Sequence, residues 1–174
     1  MSIFRRLFHK DVPRERLQPL YSAIVAAARQ PAWYVQGAVP DTLDGRFDMV
    51  AAMLSLAMLR LEAENDAFAA ESALLAEIFV NDMDGQLREI GIGDVIVGKH
   101  INRMMGALGG RLGAYRTALL DDGDVETALV RNAYRGEAPE PSALHWAAAR
   151  MRSLHEALAI TPAAALVEGK WPEV

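Results

Sequence analysis

Apolar positions recur at steps of three and four along most of the chain, interrupted by Pro, Gly and Asp. Leu17, Leu20, Tyr21, Ile24 and Ala28 form the stripe of a first helix that starts near Pro13, with Asp11 as its cap. Pro31 ends it, because a residue before proline avoids the helical region. A loop with Trp33, Tyr34 and Pro40 follows, its aromatics packed down. The pattern from Asp44 to Glu62 is apolar on two faces: Phe47, Val50, Leu54 and Leu61 on one, Met49, Met53 and Leu56 on the other. Such a helix is buried at the centre of a fold. A third helix spans Asp66 to Ile90, with Phe68, Leu74, Leu75, Ile78, Phe79, Met83 and Leu87 on its core side.

Gly91-Ile92-Gly93 breaks the chain sharply. The fourth helix starts near Asp94 and repeats Val97, Ile101, Met104, Leu108, Leu112, Tyr115 and Leu119. The run Asp121 to Asp124 closes it and caps a short fifth helix through Tyr134. After a Pro-containing loop, Ser142 caps a sixth helix with Leu144, Ala148, Met151, Leu154 and Leu158 inward. Thr161-Pro162 caps a last short one ending at Gly169. No strand-like alternation outlasts Val95–Val97, and no repeat or long linker divides the chain. Short connections favour antiparallel neighbours. The expected fold is therefore a single-domain, all-α bundle of about six to seven helices without sheet, with residues 1–12 as a basic tail and 13–174 as the domain.

A chain of 174 residues is long enough to bury a core without staples. Cysteine is absent, which removes disulfides, thiolate metal sites and a thiol nucleophile. The net charge of −5 gives no reason to expect nucleic acid as a partner. The longest nearly apolar run, Met49 to Leu59, falls short of the about 20 residues a membrane span needs. Arg5, Arg6 and Lys10 interrupt the N-terminus, so no secretory signal is read there, and a cytoplasmic location is expected. The amphipathic Ile3–Phe8 segment allows weak peripheral contact with an anionic membrane, or packs loosely as a tail.

Gly93 to Lys99 has the spacing of a phosphate-binding loop. Its context is wrong: a long helix precedes it, His100 stands where a Ser or Thr should hold magnesium, and Asp94 puts a negative charge where phosphates would sit. His9, His100, His145 and His155 form no ligand pair at helical spacing. Asp44 and Asp48 share a helix face, and Asp82 and Asp84 lie close together, but neither pair has the Glu-x-x-His partners of a di-iron bundle. They read as solvated faces or helix caps. No catalytic, cofactor-binding or metal-ligating residue is assigned.

Charge comes in blocks: nine acids and one base from Glu62 to Asp94, then four bases and no acid from Lys99 to Arg116. Either the third and fourth helices lie antiparallel with complementary charges, or Lys99, Arg103 and Arg111 form an exposed basic strip that docks a partner. Gly106, Gly109, Gly110 and Gly113 weaken the fourth helix by about 1 kcal/mol each against Ala. Close approach of another helix, first of all an internal neighbour, would compensate.

Three stretches resemble the ubiquinol–cytochrome c chaperone family in its alphaproteobacterial form. They are Asp41 to Met49 (DTLDGRFDM), Asn81 to Asp94 (NDMDGQLREIGIGD) and Val97-Gly98-Lys99 running on to Arg111; the second is the most specific. Leu108-Gly109 and His100 depart from the family's pattern, which has an aromatic pair and a basic residue there. The resemblance implies an all-helical, non-enzymatic assembly factor for ubiquinol–cytochrome c reductase, respiratory complex III. It implies newly made cytochrome b as client and a small helical co-chaperone as second partner, with no cofactor. Together with the charge switch, it points to Arg46, Asp82, Asp84, Arg88, Asp94, Lys99, Arg103 and Arg111 as partner-binding candidates. A metal- or haem-binding bundle enzyme and a generic helical adaptor are the alternatives.

Overall fold

Prolines and side-chain caps place most of the helix boundaries. The computed structural model describes residues 12–89, 94–121 and 123–174, of which 87–89 and 94–105 as backbone only. Its helices are α1 (Arg14–Ala28), α2 (Pro31–Val35), α3 (Leu43–Glu62), α4 (Ala69–Glu89), α5 (Asp94–Leu120), α6 (Val125–Asn132), α7 (Pro141–Ile160) and α8 (Ala163–Val167). No strand occurs among the described residues. The all-α bundle expected from the periodicity is what the chain forms.

Thr42 caps α3 by accepting from the Gly45 N–H at 3.1 Å, and Asp124 caps α6 by accepting from the Glu126 N–H at 2.9 Å. Three expectations need correction. The segment around Trp33 and Tyr34 is not a loop: Pro31 starts the five-residue α2, because its fixed φ suits a first helical position. Ser142 does not cap α7. Pro141 takes the first-turn position, and Glu140 before it makes no side-chain cap bond. Residues Asn65–Phe68 form a 3₁₀ turn ahead of α4, with Asn65 at φ 56°. Asp11, the N-terminal segment through residue 11 and the expected break at Gly91-Ile92-Gly93 lie outside the described residues.

The central helix is α3. Every residue from Asp48 to Leu59 is buried, as its two apolar faces require. It packs most extensively on α1 and α5, and also meets α4, α7 and α8. Fully buried leucines and methionines such as Met49, Met53, Leu54 and Leu56 contribute about 1.5–3 kcal/mol each. The α2–α3 connection is tight: a Cβ on Gly45 would lie 2.0 Å from the Pro40 carbonyl oxygen, so only glycine fits.

Candidate functional site

Within the apolar run of α3 stands one carboxylate. Asp48 is completely buried. Arg111 on α5 donates through Nη2 to its Oδ1 at 2.5 Å, and Arg135, from the turn after α6, donates through Nε to its Oδ2 at 2.7 Å. Arg135 also donates through Nη1 to Asp44 at 2.7 Å. The Arg111 guanidinium lies 5.4 Å from the centroid of the Phe47 ring. A buried charge must be paired and hydrogen-bonded or it is costly, and here each oxygen has its own guanidinium. Burial holds the Asp48 carboxyl above its ordinary range, while Arg135 and Arg111 pull it back.

The turn that brings Arg135 in is strained. Arg135 itself has φ 54° and is followed by Gly136 at φ 90°. A non-glycine residue there costs free energy that its surroundings must offset. Two interactions hold it: the guanidinium fork on Asp44 and Asp48, and the neighbouring Tyr134 hydroxyl, which donates to the Gly37 carbonyl at 2.5 Å. Burial pushes the Tyr134 phenol up to about 12. The wholly buried Tyr115 hydroxyl has no hydrogen-bond partner among the described residues, and burial raises its pKa as well. Beside the turn lies an open cleft of about 770 Å³, formed by α5, α6, the Arg135-Gly136 turn and Leu144 of α7.

These contacts correct the reading of Asp44 and Asp48 as a solvated pair. Asp44 is exposed, but Asp48 is the most buried charge among the described residues. They also correct Arg111, which is no part of an exposed strip: its side chain is 15% exposed and tied to α3. The two described bases of α5 complement α3 rather than α4: Arg111 pairs with Asp48, and Arg116 with Glu62 at the end of α3 at 2.5 Å. Two acids of α4 turn to α1. Glu71 meets Arg16 at 3.3 Å, and Asp82 accepts from the Tyr21 hydroxyl at 2.7 Å and from Gln86 at 3.2 Å.

Of the remaining candidates, Arg46 is exposed and paired with Asp41 at 2.6 Å, and Asp84 is half-buried on α4. The side chains of Arg88, Asp94, Lys99 and Arg103 lie outside the described residues. The structure thus brings Asp48 and Arg111 together with Arg135, which the sequence reading missed, and places Asp82 on a different helix pair.

Gly106, Gly109, Gly110 and Gly113 are not internal packing positions, because a Cβ on any of them would meet nothing within 4 Å. They lie opposite Leu108 and Tyr115, which face the core. With exposed Thr117 and Leu120 they form the outward face of α5, on which Arg116, paired with Glu62, is the one charged residue from Gly106 to Leu120. No described helix is long and apolar enough to cross a membrane. Among the described residues no group of three His, Cys, Asp or Glu is arranged to hold a metal ion.

In sequence, no functionally curated protein matches the chain. The crystal structure of the Cbp3 homolog from Brucella abortus is similar, at 35% identity and a TM-score of 0.78 over 96% of this chain and 92% of that one. The family model for ubiquinol–cytochrome C chaperones matches residues 36–173, which take in α3, the buried Asp48 network and the glycine-lined face of α5, and the chain therefore belongs to the ubiquinol–cytochrome c chaperone family.

Proposed function

We propose that the protein is a non-enzymatic assembly chaperone for ubiquinol–cytochrome c reductase, that it binds newly made cytochrome b, and that a small helical co-chaperone is its second partner. The family match over residues 36–173 carries this reading. The arrangement of charge supports it. The buried carboxylate is neutralised by two arginines, which suits a structural clamp and leaves no free acid or base poised for proton transfer. The outward face of α5 supplies what a binding surface for an apolar helix needs: Gly106, Gly109, Gly110 and Gly113 let another backbone come close, and the one charge beside them, Arg116, is already paired with Glu62.

Lys99 and Arg103 stay in this proposal as the basic residues that steer the partner, along with Arg46, Asp84, Arg88 and Asp94. Arg111 leaves it, because reversing that charge would break the Asp48 pair and confound any binding test. Membrane contact, if made, is peripheral and runs through the basic N-terminal segment. The test is complementation of a deletion strain. The wild-type gene should restore complex III, and the Lys99→Glu/Arg103→Glu double variant should restore less while melting as the wild type does. Normal complex III in the deletion strain would sink the chaperone reading. Full rescue by the double variant would move the partner away from α5.

A further inference from the structure

The cleft beside the Arg135 turn is larger and more polarised than a structural clamp requires. Three guanidiniums from three elements converge at one end of it: Arg111 from α5, Arg131 from α6 and Arg135 from the turn. Arg135 is engaged by Asp44 and Asp48, and Arg111 by Asp48 through one nitrogen. The Arg111 Nε–H is buried, with no acceptor among the described residues. Arg131 is exposed and makes no hydrogen bond or ion pair among the described residues. Three positive charges thus face two carboxylates, leaving a surplus of one. The other end is acidic: Asp124 is occupied in capping α6, while Glu126 meets only the exposed His145, at 3.2 Å. Val130 and Leu144 add apolar lining to the cleft.

We propose that this cleft is a docking site for a peptide segment of a partner protein, one that places an acidic side chain against Arg111, Arg131 and Arg135, an apolar residue over Val130 and Leu144, and a basic side chain toward Glu126. Each part follows from the lining. A single carboxylate matches the surplus of one positive charge, with the exposed Arg131 as its first partner. A polyanion such as RNA or an anionic bilayer does not fit, because Glu126 and Asp124 repel it at the far end. Glu126 and Arg131 are five steps apart on α6, about 7.5 Å along its axis and about 140° around it. In an extended peptide, two residues span about 6.6 Å and point their side chains the same way. An acid and a base two positions apart, with apolar residues between and beside them, therefore give the shortest spacing that covers this rise, the two side chains spreading toward the two helix faces. The inference rests on the cleft and not on the identity of the client, so it stands or falls apart from the chaperone reading.

The test uses the full chain and an acetylated Leu-Glu-Leu-Lys-Leu pentapeptide, followed through the ¹⁵N–¹H signals of the arginine Nε groups. Titration to a few millimolar should shift the Arg111, Arg131 and Arg135 signals together. The glutamine-for-glutamate analogue should bind at least fivefold more weakly. Arg131→Gln, a change at an exposed and unpaired side chain, should weaken the peptide at least fivefold without altering the melting temperature. Absence of shifts at these three arginines, or losses smaller than fivefold in either control, overturns the proposal. So does an equal response to inorganic phosphate, which would make the cleft a small-anion site, or to a short RNA, which would make it a polyanion site.

Discussion

Arg111→Ala strips one of the two guanidiniums from a carboxylate with no access to water. Removing one partner of a buried ion pair costs about 3–5 kcal/mol, because the other charge is left uncompensated. Arg135 still holds the second oxygen at 2.7 Å, so the lower end applies, about 3 kcal/mol. For a domain of this size each kcal/mol lowers the melting temperature by about 2–4 °C, which puts the loss at about 6–12 °C. The pH dependence identifies the cause. In the wild type burial already lifts the Asp48 pKa, against the pull of both arginines. Removing Arg111 takes away one pull, so the folded-state value rises further above the unfolded one. The cost is then present at neutral pH, where the carboxyl is ionised, and is relieved as pH falls through the folded value and Asp48 takes up a proton. Thermal unfolding followed by circular dichroism from pH 7 to pH 4 should show the gap between variant and wild type closing. The companion Asp48→Leu/Arg111→Met should recover most of the loss, since apolar residues of similar size replace a buried pair at little cost. A loss below about 1 kcal/mol, or a gap that does not change with pH, would refute the account of Asp48 as a buried charge held by its arginines.

Gly109→Ala and Gly110→Ala should each stabilise by up to about 1 kcal/mol, since the new methyl group meets nothing and helix propensity improves; a fall in melting temperature would mean that this face is covered. Tyr134→Phe should cost about 1–3 kcal/mol by leaving the Gly37 carbonyl without its donor, measured by urea denaturation. Millimolar ATP with magnesium should leave the melting temperature unchanged, because the chain is already helical from Asp94 through Lys99, where a phosphate loop needs open turns; a ligand at 100 times its dissociation constant would add about 2.7 kcal/mol.

The bundle was legible because its boundary signals are local. Pro31, Asp124 and Pro162 act on neighbouring peptide groups, and the double apolar face of α3 declares its own burial. The short α2 was not legible, since five residues between two loops hold too little periodicity to show a period. The glycines of α5 announced a weakened helix but not on which side, because helix propensity is blind to what lies outside. Asp48 left a readable sign: an acid between Phe47 and the run from Met49 to Leu54 cannot reach water if that helix is central, so it needs a cation. Nothing local names the cation. Arg111 is 63 residues away and Arg135 is 87, and Arg135 arrives only through a backbone conformation that arginine seldom adopts. The cleft was hidden for the same reason, being assembled from α5, α6 and α7 only after they pack.

The buried clamp also constrains how sequences of this kind can drift. Losing Asp48 alone strands Arg111 in a place where its charge has no counter-ion, and losing Arg111 alone strands Asp48, so each first step is penalised while the paired change is nearly neutral. Lineages should therefore keep both residues or replace both, with few intermediates. Arg135 is freer, since it is half exposed and retains Asp44, but its turn becomes easier to form once a glycine takes its place. In a set of aligned relatives, positions 48 and 111 should vary together, and glycine should appear at 135 chiefly where the aspartate has gone.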